Sequence, residues 1–522
     1  MDTGHERRWR ILAVLSIAVF LVVVDNTVVN VALPTLARDL HASTASLQWI
    51  VDGYSLPFAG LLLAGGGLSD RLGRRGVMQA ALIAFGVFSF LAAHATNVAT
   101  LLTARALMGA AAAFIFPATL SLLTVAFRDP RERATAFGVW GAVAGVAIAV
   151  GPVLGGVLLV HYWVGSIFLI NLPVVVVAVA LTSMVVPESR APQRRRFDLV
   201  GLALGTGAVT ALVLAIIEGP SWGWMGTTTL ALFAAAVSCA VSFVLVELRH
   251  AEPLLDVRVF RRPSFSAGAG AIAASYFCLF GFIFLITQYF QLVRGYSALS
   301  AGVHTLPFAA VAMVATPLGA QLALRVGTRQ VVASGLATMS GSMVWVSRIG
   351  AHAAYAGPIV GSMMVMALGF SLINAPATAA IMATLSADQV GAGAAANETT
   401  RELGGTLGVA VIGSVFSSLF GPAVRSAFLR VGLNGAPLAA AQRSMQEARA
   451  TVTHLPTAVQ PGVAREVTAA FIDGLHRGCL VAAAATLGVA LAVLATMPSR
   501  LAASPLDVPG AAVGDVANSA AG

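Results

Sequence analysis

The stretch Gly65–Arg75, GGGLSDRLGRR, closes an apolar run and sets four glycines, one acid and three arginines within eleven residues. A second stretch, Gly319–Arg329, GAQLALRVGTR, closes another apolar run far down the chain. Aligned without gaps, Gly65, Leu68, Arg71, Gly73 and Arg75 match Gly319, Leu322, Arg325, Gly327 and Arg329, and Leu324 stands opposite Asp70. Counted in apolar windows of about 20 residues, the first copy follows the second window and the other follows the tenth. A loop repeated at corresponding places predicts two parallel halves of six helices each.

The windows lie near 11–33, 48–68, 77–95, 99–126, 136–160 and 164–186, then 199–217 and 227–247, then 267–290, 301–323, 331–349, 356–383, 404–420 and 475–497. Fourteen spans are therefore expected, with the middle two inserted between the halves. The predicted divisions are a first half over 8–187, the insert and its flanking loops over 188–262, a second half over 263–497 and a disordered cytoplasmic tail over 498–522. One long segment, 421–473, has no span and reads as an external region, either one or two amphipathic helices at the membrane surface or a solvated loop.

Composition agrees with this class: 58% of the 522 residues are hydrophobic and 10% charged, with mean hydropathy +0.87, against about 25% charged residues in soluble domains. The fold class is thus an all-α integral membrane protein. The basic residues number 31 and all are arginine. With the N-terminus inside, inner loops carry runs such as Arg71, Arg74 and Arg75, Arg128, Arg131 and Arg133, and Arg194–Arg196; the short outer loops carry Arg38, Arg294 and Arg348. Such asymmetry places both termini in the cytoplasm and makes the +9 charge a topology signal, not a nucleic-acid footprint. The first span runs on through Asp25 and Asn30, which the apolar core of a cleaved signal would lack. Three scattered cysteines give neither a disulfide framework nor a metal-ligand spacing.

Asp25 lies deep in the first span, in VVVDNTVVNVALP. An intramembrane carboxylate is costly unless it faces protein or an aqueous cavity, so it is a candidate for proton exchange; the bland alternative is a structural hydrogen bond to a neighbouring helix. Asp52, in QWIVDGYSLPF, is a second candidate for proton or cation binding, or an interfacial residue hydrated from outside. Arg105, in LLTARALMGAAAA, keeps its charge under nearly all conditions and is suited to bias a nearby acid, unless it merely snorkels. In the 65–75 loop, Gly66 and Gly73 permit a tight turn, while Asp70, Arg71, Arg74 and Arg75 suit a cytoplasmic gate latch; a short basic loop serving topology is the plainer reading.

The fifth window contains GAVAGVAIAVGPVLGG, with Gly141, Gly145, Gly151, Gly155 and Gly156 around Pro152. So many helix-weakening residues predict a face where another helix comes close and can slide or hinge, or else ordinary small-residue packing. No phosphate-binding loop, metal cluster or nucleophile–base pair accompanies these features. Neither cofactor nor metal is expected, enzyme activity is disfavoured, and an ion gradient is the expected energy source.

Taken in order, DNTVVNVALP (25–34), GGLSDRLGRR (66–75), LLTARALMGAAAA (101–113) and the glycine-proline stretch resemble the motifs of fourteen-span drug:proton antiporters in the multidrug-resistance branch of the major facilitator superfamily. IFLINLP (167–173) and NETTRELGGTLGVAVIGS (397–414) also resemble segments of that branch. Met108 departs from the glutamine common in the fourth-helix motif, and YWVGSIF around Trp163 lacks the usual arginine. The resemblance implies a major facilitator fold and proton-driven export of amphipathic, cationic or neutral toxic compounds, and the composition, lysine-free and rich in Ala, Val, Gly and Arg, suggests a bacterial source. It assigns proton or cation binding to Asp25 and Asp52, coupling to Arg105, the inner gate to the 66–75 loop, and antiport to the glycine stripe. The partners expected are small amphipathic substrates, protons and the lipid bilayer, with the chain acting as a monomer. Export of an endogenous metabolite such as an antibiotic or siderophore is the alternative within transport. A non-transporting receptor or scaffold is the alternative outside it, though buried acids cost stability with no return there.

Overall fold

In a bilayer the backbone must satisfy its own hydrogen bonds, so a long apolar run becomes a helix. The computed structural model describes residues 3–127, 129–190, 198–250, 257–384 and 390–498, among which there is no strand. The expected tail lies almost wholly outside the described residues. The first six long helices are α1 (Thr3–Asp39), α2 (Thr44–Leu72), α3 (Arg74–Ala93), α4 (Val98–Ala126), α5 (Pro130–His161) and α6 (Asn171–Val185). Then come α7 (Leu199–Trp222) and α8 (Thr227–Arg249). The last six are α9 (Pro263–Gln288), α10 (Leu306–Val326), α11 (Thr328–Val346), α12 (Val360–Met382), α13 (Val390–Arg430) and α14 (Gln460–Thr496).

Twelve stretches among the described residues are long and apolar enough to cross a membrane. The other two of the fourteen expected windows are α2 and α11, which carry more polar side chains, Gln48 and Asp52 in one and Gln330 and Ser340 in the other, and pack against α4 and α12.

The neighbours repeat between the halves. In the first, α1 packs on α4, α5 and α6, α2 on α4, and α3 on α4 and α6; in the second, α9 packs on α12, α13 and α14, α10 on α12, and α11 on α12 and α14. The repeated loops share a backbone device as well. Gly73 (φ 121°) and Gly327 (φ 108°) both occupy the region that glycine alone enters freely, turning the chain between two helices. The pair α7 and α8 packs together, and α7 lies in the seam between α2 and α13, where Leu56, Val213, Ile217 and Ala410 form a small core.

The thirteenth helix is longer than the expected window. Its 41 residues extend about 60 Å, roughly twice the thickness of a hydrocarbon core. Phe416, Phe420 and Phe428 are buried along it, so the apolar packing continues past 420. Beyond it, the short helices Gly435–Ala441 and Met445–Thr453 pack on each other and on neighbouring long helices. They also tie the halves together: Thr44 N donates to Arg443 O at 2.8 Å, and His41 Nδ1 lies 3.0 Å from a Glu447 carboxylate oxygen. The segment after 420 is therefore a packed cap at one end of the bundle.

Hydrogen bonds between the halves gather at this capped end. Gln48 Nε2 donates to Ala410 O at 2.9 Å, and Gln291 Nε2 to Val31 O at 2.8 Å. Toward the other end α5 keeps contact on one side, where Trp140 packs on Phe116 and donates to Thr119 Oγ1 of α4 and Glu132 pairs with Arg8 of α1, while Gly138, Gly141 and Gly145 face open space. The halves are thus closed on each other at the capped end.

Candidate functional site

Five helices of the first half converge on a polar cluster enclosed by apolar packing. Arg105 on α4 directs Nη1 to within 2.7 Å of Asp25 Oδ2 on α1, and both side chains are fully buried. Asn171, at the start of α6, donates from Nδ2 to the other Asp25 oxygen at 2.7 Å and to Ser89 Oγ of α3 at 2.8 Å. Arg105 also donates from Nε to Ile50 O at 3.2 Å, and its guanidinium lies 4.3 Å from the centre of the Tyr54 ring. Nη2 of Arg105 has no hydrogen-bond partner. Burying two charges costs several kcal/mol each, and their attraction offsets this only with close geometry and further hydrogen bonds. The Asp25 carboxylate has both.

Local sequence explains why the arginine can reach. A Cβ on Gly109 would overlap the Tyr54 carbonyl, so only a bare backbone lets α4 lie this close to α2. One turn earlier, Arg105 then meets Ile50 and Tyr54. Beyond Asp25, α1 receives α5. A Cβ on Gly151 would overlap Thr27 Oγ1, and one on Gly155 would stand 2.7 Å from Val28 Cγ2. The glycine stretch thus meets α1 two and three residues after the buried acid.

Asp52 has a different setting. Its side chain is fully buried, and neither carboxylate oxygen has a hydrogen-bond partner. An ionised carboxylate so placed has nothing to offset its lost hydration.

The glycine stripe divides in the structure. Gly151 and Gly155 abut α1, and Gly156 abuts Ala298 and Leu299 at the start of a short helix of the second half. From that helix, Gly302 packs on the Pro152 carbonyl. Gly141 and Gly145 meet nothing within contact range, which corrects the expectation of one continuous contact face.

At the end opposite the cap, Gly65 abuts the Ala113 carbonyl of α4, while Gly66 makes only ordinary contact with Pro117. The side chain of Asp70 lies outside the described residues. Arg71 is exposed and Arg74 half-buried. The turn is held by Glu188, which follows α6: its carboxylate accepts from the backbone N–H of Arg75 at 3.1 Å and of Gly76 at 3.0 Å, and lies 3.9 Å from Arg75 Nε. A carboxylate at a helix N-terminus is favoured by the exposed amides there.

Residues 15–409 match the profile of the Major Facilitator Superfamily. The chain belongs to this superfamily of membrane transporters. It is 34% identical over 487 residues to the multidrug efflux pump LfrA of Mycolicibacterium smegmatis, covering 93% of this chain and 96% of that protein. It is 31% identical over 521 residues to the tetracenomycin C resistance and export protein of Streptomyces glaucescens, with 97% and 96% covered. In fold it is similar to an inward-facing, unoccupied bacterial homologue of the human lysosomal transporter Spinster, with TM-score 0.61, 17% identity and 94% and 98% of the two chains covered.

Within this facilitator, sequence reasoning singled out Asp25, Asp52 and Arg105 but not the groups that orient them. Asn171 and Ser89 complete the Asp25 cluster, and Glu188 anchors the loop. The signal for Asn171 was its place as a lone amide in the apolar run IFLINLP. For Glu188 no local pattern pointed to the turn more than 110 residues before it.

Proposed function

We propose that the protein is a proton-driven exporter of amphipathic, cationic or neutral toxic compounds across the bacterial cytoplasmic membrane. The observation that carries the proposal is the enclosed Asp25–Arg105 pair beside the unpartnered Asp52. Two buried carboxylates with one counter-charge are a setting in which a proton supplies what the protein does not. Protonation of Asp25 removes the partner of a guanidinium that stays charged. The α1–α4 contact then loses its main attraction, and α1 is the helix on which Gly151 and Gly155 rest. A proton taken up there thereby acts on the α5 seam that closes the two halves.

On the arginine asymmetry, the end opposite the cap faces the cytoplasm, with both termini on that side. The capped end, where hydrogen bonds join the halves, is then the outer gate in its closed form. The 66–75 loop, held by Glu188, stabilises one of the two states. A single chain contains both halves of the path, so it works as a monomer. The likeness to a named multidrug efflux pump over almost the whole chain supports export as the direction.

The test is uphill movement of a fluorescent amphipathic cation in proteoliposomes under an imposed pH gradient. Export that follows the gradient and collapses with a protonophore is expected; movement indifferent to the gradient overturns proton coupling. A second reading, export of an antibiotic made by the cell itself, is supported by the likeness to the tetracenomycin C exporter. Deleting the gene and measuring secreted metabolites separates the two.

A further inference from the structure

We infer that a cavity at the capped end of α11 binds an anionic phospholipid, with the phosphate on Arg348 and one acyl chain along Val344 and Trp345. Gly341, Val344 and Trp345 share one face of α11, and Arg348 continues that face just past the helix end. Opposite them, the chain before α12 leaves helical geometry at Ala356 (ψ 125°) and Gly357 (φ 93°), which sets Pro358 across a gap. The gap is a cavity of about 500 Å³ lined by Gly341, Val344, Trp345, Arg348 and Pro358. A Cβ on Gly341 would meet nothing within 4 Å, so the bare backbone there leaves room at the inner end. A Cβ on Gly361 would stand 3.0 Å from the Trp345 ring, so the indole can rest on α12 and wall the cavity. From Gly341 to Arg348 the face runs about 10 Å, most of the roughly 15 Å of hydrocarbon in one leaflet.

Charge and surroundings give the ligand its chemistry. Of the three arginines in the short loops at this end, Arg38 lies 2.8 Å from an Asp39 carboxylate oxygen and Arg294 donates to Ala353 O at 2.8 Å. Arg348 is exposed, and its guanidinium has no hydrogen bond or ion pair among the described residues. The stretch 341–361 contains no acid, so an anion is favoured, and the ammonium of a zwitterionic lipid finds no partner on it. A guanidinium fork matches two phosphate oxygens. Free phosphate would leave the apolar walls unused, whereas an exposed tryptophan such as Trp345 suits the boundary between headgroup and acyl chain. A cationic substrate would be repelled by Arg348. The loop that carries the arginine is held from behind: Tyr289 OH donates to Gly350 O at 3.0 Å, and His476 Nε2 lies 2.9 Å from Ile349 O. A fixed backbone lowers the ordering cost of binding.

The experiment places the full chain in phosphatidylcholine nanodiscs and replaces part of the lipid with phosphatidylglycerol brominated on its acyl chains, which quenches nearby tryptophan. Brominated phosphatidylcholine is the control. Neither a gradient nor a transported compound is needed, so the result is independent of the exporter reading. At equal content the phosphatidylglycerol is expected to quench more, and Trp345→Phe should remove the difference. Arg348→Gln should lower the affinity for phosphatidylglycerol roughly five- to tenfold, to that of phosphatidylcholine, and Arg348→Lys should retain part of it. Gly341→Leu, which fills the apolar end without touching the charge, should weaken it as well. Equal quenching by the two lipids in the wild type overturns the site, as does a difference that survives Trp345→Phe or Arg348→Gln. Displacement of the brominated phosphatidylglycerol by inorganic phosphate as readily as by unlabelled phosphatidylglycerol overturns the lipid as ligand. If Arg348→Gln does not fold, Gly341→Leu decides: a lost preference supports the site and an unchanged one overturns it.

Discussion

Arg105 and Asp25 meet at 2.7 Å with no solvent exposure on either side, joining α4 to α1 in the middle of the first half. Each is the reason the other can be there. Removing one partner of such a pair leaves an uncompensated charge, at a cost of about 3–5 kcal/mol, whereas replacing both by apolar groups is often neutral. Asp25→Asn should therefore lower the thermal stability of the purified protein, and the double variant Asp25→Leu, Arg105→Met should recover most of it. Neither should couple transport to a pH gradient. Uphill export by the double variant would show that coupling lies elsewhere.

Asp52 gives the opposite expectation for stability. Its oxygens have no partner to lose, so Asp52→Asn should unfold at the wild-type temperature or above. The loss should fall on transport, and more on cationic than on neutral compounds. Kinetics on a matched pair of dyes, with melting curves of the same preparation, check both parts; a marked drop in stability would mean that Asp52 is a structural residue.

The divided glycine stripe predicts a position-dependent result. Gly151→Leu overlaps Thr27 and should destabilise the α1–α5 contact by about 1–3 kcal/mol, as overpacking does. Gly145→Leu faces open space and should leave melting unchanged. Slowed export with normal melting in Gly145→Leu would indicate that this part of α5 closes during the cycle. Equal melting of all three proteins would remove the close-contact argument.

Glu188 should behave as the anchor of the 65–75 loop. Glu188→Ala removes the acceptor for the Arg75 and Gly76 amides, a terminal interaction of about 0.3–1 kcal/mol. That is too small to unfold the bundle and enough to change the balance between two states of similar energy. A cysteine placed at Val77 should label faster in the variant, and turnover should fall more than binding. Unchanged labelling and turnover would reduce the contact to decoration of a loop.

Much of this protein is determined locally. The cost of unpaired backbone in lipid turns each apolar run into a helix, the repeated loop marks two equivalent halves, and the cost of a charge in a bilayer marks Asp25, Asp52 and Arg105 as residues with a reason to be there. The family resemblance was legible for the same reason, since its motifs are short and contiguous. What local sequence leaves open is which helix faces which. Asp25 finds Arg105 80 positions away and Asn171 146 positions away, because Gly109 lets α4 rest on α2 and Gly151 lets α5 rest on α1. An isolated helix carries a charge or a bare glycine as a possibility; the crossing of two helices decides what that charge touches.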